Sequence, residues 1–338
     1  MIPRNAEHIL REAVRNYPIV GITGPRQSGK TTLARHVFAD RPYVSLEHPH
    51  TRELAETDPH GFLATYGDGA VFGEIQRAPD LLSYLQGMVD EDPAPGRFIV
   101  TGSQRLDLMS HTSQSLADRF TLTHLLPFTY RECYGGDTPS LDQVLYTGLF
   151  PPVHDRKPTP TQWYADYVQT YIERDVRQMV NVRDLSAFQR FIRLCAGRIG
   201  QLLNLSALAS DCGITHNTAK AWISILEAGY LVVLLQPHHR NFNKRLIKSP
   251  KLYFYDTGLA FWLLGVHSPD QIQTHPLRGP LFESFVISEM LKARYNRGIT
   301  APLYFWRDRK GDEVDIVIEH ANGLQPVEIK SGQTLNRD

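Results

Sequence analysis

The sequence predicts an α/β chain of two or three domains: a parallel sheet with its helices, then a winged helix-turn-helix, then a small α/β tail. Three observations predict this order. Short apolar runs alternate with helix-period stretches from Pro18 to Leu126. Two apolar-faced helical patterns flank a tight turn between residues 205 and 235. From Leu281 a helix pattern is followed by three strand-like runs. At 338 residues the chain is long enough to bury more than one core.

Ile9, Leu10, Ala13 and Val14 recur at helical spacing, so the first residues form a short helix docked on the sheet. Pro18-Ile19-Val20 reads as the first strand, and Leu33, Ala34, Val37 and Phe38 mark the helix behind it. Between them stand Gly24, four residues, then Gly29-Lys30-Thr31. Glycines at this spacing let the backbone wrap an anion, with the amides of the loop and of the following helix pointing at phosphates. Lys30 is placed to reach the β- and γ-phosphates, and the Thr31 hydroxyl to ligate a magnesium ion. The phosphate-binding set is Gly24, Pro25, Arg26, Gln27, Ser28, Gly29, Lys30, Thr31 and Thr32.

Tyr43-Val44-Ser45-Leu46 reads as a second strand, with His48-Pro49 and Asp58-Pro59 marking the loop and turn after it. The third is Ala70-Val71-Phe72-Gly73-Glu74. In ATPases built around such a loop, this strand ends in Asp-Glu, the aspartate holding the magnesium shell and the glutamate polarising the attacking water. Here Glu74 is present, but Gly73 takes the aspartate's place. Losing that carboxylate predicts binding with weakened hydrolysis. Residues 97–104 form a buried strand running into small polar residues, with Ser103 or Gln104 as a contact for the γ-phosphate or a water. Residues 113–119 end a helical stretch in Arg119, a candidate for a neighbouring subunit's nucleotide. Residues 122–126 supply a fifth strand.

Gly24-Pro25-Arg26-Gln27-Ser28-Gly29-Lys30-Thr31-Thr32, Gly73-Glu74-Ile75-Gln76-Arg77-Ala78-Pro79, Thr101-Gly102-Ser103-Gln104 and Leu125-Leu126-Pro127-Phe128 together resemble a prokaryotic family of AAA-type ATP-binding proteins with a DUF4143 C-terminal region. The resemblance covers nearly the whole chain. It implies a P-loop NTPase (AAA-like) parallel sheet with helices on both faces, and ATP in place of GTP, since no Asn-Lys-x-Asp guanine motif is visible. The family usually has aspartate at position 73, so hydrolysis is the property this chain puts in question. A ring or other homo-oligomer is implied by the resemblance and by Arg119.

The ATPase domain is expected over 1–136, a linker and helical connection over 137–188, a winged helix-turn-helix over 189–270 and a nuclease-like tail over 271–338. The proline-rich run from Phe150 to Pro160 reads as the linker. From Trp163 to Arg198 apolar residues alternate with charges such as Glu173, Arg174, Asp175 and Arg177, a helix with a solvated face. Leu205, Leu208 and Ala209 face inward, Asp211-Cys212-Gly213-Ile214 turns, and Ala219, Trp222, Ile223 and Leu226 form a second inward face, with Thr215 as N-cap. His216, Asn217, Lys220 and Ser224 point outward, at a length that suits DNA contacts. Residues 230–235 and 251–255 read as wing strands. The stretch between them carries Arg240, Lys244, Arg245 and Lys248, with Lys251, beside His238 and His239 and without an acidic residue, a pattern suited to phosphate contacts.

In the tail, residues 303–307, 313–318 and 326–330 read as strands after a helix opening at Leu281. A period of two puts Glu328 and Lys330 on one face of the last strand. Such a pair, with Asp315 on the preceding strand, can hold a divalent metal and activate water against a phosphodiester. Glu283, Asp315, Glu328 and Lys330 resemble, position by position, the site of PD-(D/E)XK nuclease-like domains. That fold adds a helix and a strand after the lysine, so the domain is expected to be incomplete, cropped or degenerate, and cleavage is not expected.

Lys+Arg and Asp+Glu both total 36, so no global field draws the chain to nucleic acid or membrane, and any polyanion contact is local. Cys133, Cys195 and Cys212 match no metal or disulfide spacing, and no apolar run approaches the roughly 18 residues that cross a bilayer. A cytoplasmic protein without a membrane partner follows. The predicted function is an ATPase, with ATP and Mg2+ as cofactors, coupling its nucleotide to branched or broken DNA in a helicase-like, translocase-like or repair role within a self-associated assembly. Two rivals are a hydrolysis-poor switch that recruits protein partners and an ATP-gated, metal-dependent nuclease.

Overall fold

The structure is a computed structural model that describes residues 2–103, 118–172, 184–238, 249–308 and 310–332. It divides into two compact units, one of Met1–Phe128 with Ala228–Tyr230 and Lys292–Ile299, the other of Thr129–Glu227, Leu231–Leu291 and Thr300–Asp338.

The first unit is built on five parallel strands, β1 (Ile19–Thr23), β2 (Tyr43–Ser45), β3 (Ala70–Gly73), β4 (Phe98–Gly102) and β5 (Phe120–His124), in the order β2-β3-β4-β1-β5. β1, β3 and β4 are buried along their whole length, which is why they read as continuous apolar runs without alternation. Their side chains still alternate between two cores. Val20, Ile22, Val71 and Ile99 pack with α1 (Glu7–Asn16) and α2 (Lys30–Val37). Ile19, Phe72, Phe98 and Val100 pack with Phe62 of α4 (Pro59–Ala64) and Leu81, Leu82 and Leu85 of α5 (Leu81–Glu91), beyond α3 (Pro49–Thr57). β5 starts earlier than its apolar run suggests, and Leu125 already lies past the strand, its amide donating to the Thr23 carbonyl at 2.7 Å.

In the second unit α6 (Tyr130–Tyr134), α7 (Leu141–Thr147), α8 (Pro151–Asp155) and α9 (Pro160–Tyr167) follow one another. The prolines that suggest a linker stand at the first turns of α8 and α9, where a missing N–H costs nothing. Pro151 and Pro152 are buried, and the Phe150 ring lies 5.1 Å from Trp163 and 4.9 Å from Tyr167, so this stretch is packed. The helical region beyond has a π-helical turn at Val168–Ile172 and then α10 (Leu185–Ala196); Glu173, Arg174, Asp175 and Arg177 lie outside the described residues.

α11 (Leu205–Cys212) is capped by Asn204, whose side chain accepts from the Ala207 amide at 3.0 Å, and it ends at Gly213 with φ 67°. Thr215 caps α12 (His216–Ala228), its hydroxyl accepting from the Thr218 amide at 3.1 Å. Leu208, Ala209, Ala219, Trp222, Ile223 and Leu226 are buried, while His216, Asn217, Lys220 and Ser224 are exposed. The antiparallel pair β6 (Val232–Pro237) and β7 (Lys251–Phe254) begins two residues after Tyr230, which sits at φ 58° and therefore outside the ladder. α13 (Thr257–Leu263) and α14 (Arg278–Tyr295) lead to β8 (Tyr304–Arg307), β9 (Glu313–His320) and β10 (Gly323–Val327). These strands join that antiparallel pair in one sheet of order β10-β9-β8-β6-β7. The last strand stops at Val327, before the expected Glu328-Ile329-Lys330, because the Asp315 carboxylate takes the Ile329 amide at 2.7 Å in place of a ladder carbonyl. Among the described residues no helix is long and apolar enough to cross a membrane, and all three cysteines are free.

Candidate nucleotide-binding site

The turn from β1 into α2 has the backbone that a phosphate loop needs. Gly24 (φ 157°), Gln27 (φ 63°) and Gly29 (φ 90°) all have positive φ, and at Gln27 and Gly29 the chain is left-handed, which turns successive amides inward. Gly24 admits no side chain, since a Cβ there would stand 2.0 Å from the Leu125 carbonyl oxygen. The Lys30 ammonium donates to the carbonyls of Gly24 at 3.0 Å and Pro25 at 2.8 Å, and so is held against the loop it serves. The hydroxyl of Ser28 is buried in the loop without a protein hydrogen-bond partner, and so is that of Thr101 near the end of β4. Buried polar atoms of this kind are rare unless a bound group satisfies them. Arg4 braces the turn from outside it: its guanidinium donates to the Ser28 carbonyl at 2.8 Å and the Leu126 carbonyl at 2.6 Å, and lies over the Phe128 ring.

The C-terminal ends of β3 and β4 add the polar groups. Glu74 sits at φ 58°, a left-handed conformation that costs about 1–3 kcal/mol for a residue with a side chain. Its carboxylate accepts from Gln76 Nε2 at 2.6 Å and from the Ser103 hydroxyl at 3.5 Å, and Gln76 Nε2 reaches Ser103 Oγ at 2.9 Å. Gln104 lies outside the described residues. Gly73 is buried, and a Cβ built on it meets the Tyr43 hydroxyl at 2.0 Å. That same hydroxyl is 3.5 Å from the Thr31 hydroxyl. Thr31 stands in the first turn of α2, and the glycine cradle, the unsatisfied Ser28 hydroxyl and the Thr31 oxygen together fit a triphosphate with a magnesium ion.

Arg119 is elsewhere. It precedes β5, its carbonyl takes the Ile19 amide at the starting edge of the parallel sheet, and its side chain pairs with Asp90 at 2.5 Å. Of the residues proposed for DNA, His216, Asn217 and Lys220 share the exposed face of α12, and Arg240, Lys244, Arg245 and Lys248 lie outside the described residues. Lys251 and His238, read from the sequence as part of the basic surface, are not on it. Lys251 is buried between Glu283 at 3.6 Å and Glu313, and His238 is buried with Nε2 2.9 Å from Glu319.

Lys251 also decides the chemistry of the C-terminal carboxylates. Glu283 bonds to the Tyr253 hydroxyl as well as facing Lys251, Asp315 takes the Ile329 amide, and Glu328 pairs with Lys330 at 2.5 Å. Burial pushes both Glu283 and Asp315 above the usual carboxylate range, while the Lys251 charge pulls them back. An ammonium already stands among these oxygens, and among the described residues no group of three His, Cys, Asp or Glu side chains is placed to hold a metal ion.

Sequence reasoning missed Tyr43 and Arg4. The glycine at 73 was the available signal for the first, since a buried strand end without a side chain leaves room for a neighbour's. No local signal marks Arg4.

Family models match the chain over residues 16–134 as an AAA domain, over 138–270 as a domain of unknown function (DUF8612) and over 278–338 as a domain of unknown function (DUF4143). Uncharacterized protein Rv2008c of Mycobacterium tuberculosis is 31% identical over 334 residues, which is 98% of this chain and 74% of that protein. Uncharacterized protein Mb2031c of Mycobacterium bovis matches to the same extent. The chain belongs to their family, the AAA-type ATP-binding proteins with a C-terminal DUF4143 region. Among solved structures, the Walker-type ATPase PABY2304 of Pyrococcus abyssi aligns with a TM-score of 0.53 at 14% identity, over 78% of this chain and 96% of that one, which is a likeness of fold. In this AAA/DUF4143 chain the AAA match spans the whole parallel sheet and the loop after β1, and the DUF4143 match spans α14 to β10.

Proposed function

We propose that the chain binds ATP with magnesium at residues 24–32 and hydrolyses it slowly, and that the nucleotide governs engagement of DNA by the exposed face of α12. The observation that carries the reading is the convergence of Lys30, Thr31, Glu74 and Ser103 on one edge of the parallel sheet, where doubly wound folds bind ligands. The loop amides and Lys30 take the phosphates, with Pro25, Arg26 and Thr32 flanking them. A magnesium ion, when bound, supplies charge compensation to the β- and γ-phosphates. Thr31 Oγ1 is the group that would hold it. Glu74, steadied by Gln76 and Ser103, orients the attacking water and accepts its proton. A carboxylate is missing at position 73, so turnover is slow.

DNA engagement is supported by the exposed His216, Asn217 and Lys220 on one face of a helix that follows a capped turn. Assembly into a homo-oligomer would bring Arg119 to a neighbouring nucleotide, after release from Asp90. The rival reading, a switch that holds ATP without consuming it, is favoured by Gly73 alone. Phosphate release measured with and without forked DNA separates the two. The proposal expects a slow turnover that rises with DNA and falls at least ~10-fold in Glu74→Gln; turnover absent from the parent under both conditions leaves the switch.

A further inference from the structure

The aspartate missing at position 73 has a substitute. We propose that the phenol of Tyr43 is the positioning residue for the Thr31 hydroxyl and the metal beside it, doing from β2 part of what an aspartate would do from β3. The inference rests on the magnesium-ATP reading and deepens it.

Four features of the structure point the same way. Tyr43 pairs with Val71 in the register of β2 and β3, so its side chain, leaning along the strand, ends over Gly73. A Cβ at Gly73 would lie 2.0 Å from the Tyr43 hydroxyl oxygen and 2.7 Å from Cζ, so the phenol fills the space in which a carboxylate at 73 would begin. The same oxygen is 3.5 Å from Thr31 Oγ1, the group placed to ligate the ion. Arg35 lies over the Tyr43 ring, its guanidinium carbon 5.4 Å from the centroid. Glycine at 73 and tyrosine at 43 therefore go together: a side chain at 73 requires the phenol to move.

The chemistry differs from that of an aspartate in one respect. A tyrosine hydroxyl both donates and accepts, so it can orient Thr31 or a water of the ion's shell, but it brings no negative charge. Positioning is kept and charge compensation is lost, which matches a site that holds the nucleotide and turns it over slowly.

The test is a titration of the full chain with a fluorescent mant-ATP, once with Mg2+ and once with excess EDTA, so that the readout is the magnesium enhancement of affinity. Tyr43→Phe is expected to leave the EDTA affinity within about 2-fold of the parent and to cut the magnesium enhancement by about 3- to 10-fold, the worth of one hydrogen bond. Gly73→Asp alone is expected to bind worse than the parent, because the new side chain displaces the phenol. Gly73→Asp with Tyr43→Ala is expected to recover the enhancement in full. An undiminished enhancement in Tyr43→Phe, or a single Gly73→Asp that equals the double variant, overturns the proposal while the nucleotide reading stands. A parent chain that binds mant-ATP in neither buffer overturns both.

Discussion

The Tyr230 hydroxyl lies 2.8 Å from His124 Nδ1 and 3.4 Å from the Thr23 hydroxyl, to which it donates. Thr23 ends β1 and His124 ends β5, so one phenol joins the two strand ends beside the phosphate loop. Tyr230 is almost fully buried and adopts a left-handed backbone, a cost that such a residue bears only where its surroundings hold it. The residue stands two positions after the end of α12 in the chain.

Tyr230→Phe removes both bonds and keeps the ring. Urea denaturation is expected to show a loss of about 1–2 kcal/mol. In the same variant any change that forked DNA makes to mant-ATP affinity should shrink. An unchanged response to DNA would mean that coupling runs elsewhere.

Arg4 holds the Ser28 and Leu126 carbonyls from a residue far outside the loop. Arg4→Met should weaken ATP affinity at least ~5-fold, since charge-assisted bonds that shape the turn are lost. Arg11→Met is the control: Arg11 pairs with Glu7 on the exposed side of α1, and its loss should leave affinity unchanged. Isothermal titration of both variants checks the contrast.

Lys251 is buried with Glu283 and Glu313, so Lys251→Ala leaves carboxylates without their cation and should cost about 3–5 kcal/mol. The pH dependence has a definite sign. Burial raises Glu283 and Asp315, so their ionised forms cost the folded state stability above their folded pKa values, and this cost fades as the pH falls through them. Lys251 offsets part of that cost. The deficit of the variant against the parent is therefore largest near neutral pH and narrows on acidification, as thermal melts across the range would show; a deficit that widens below the carboxylate range would contradict it.

The parts of the chain that local chemistry determines were legible in the sequence. The loop declares itself through Gly24, Gly29, Lys30 and Thr31, and the buried parallel strands through unbroken apolar runs such as Phe98-Ile99-Val100. The turn at Gly213 and the cap at Thr215 follow from residue types that favour those backbones. What was not legible depends on neighbours distant in sequence. Tyr43 reaches Gly73 only because β2 lies beside β3, and Lys251 counts as a surface cation until Glu283 and Glu313 close around it. The last strand was read too long because the Asp315 side chain, and no strand neighbour, claims the Ile329 amide. The prolines from 151 to 160 read as a linker, whereas Pro151 and Pro160 open α8 and α9 and Pro151 and Pro152 are buried.

Every role proposed above depends on the turn between β1 and α2 gripping a triphosphate. Isothermal titration of the parent chain and of Lys30→Ala with ATP and Mg2+ tests it most directly. The parent is expected to bind measurably and the variant at least ~10-fold more weakly, the worth of a buried charge at the phosphates. Equal affinity in the two proteins, or no heat of binding from the parent, would contradict it.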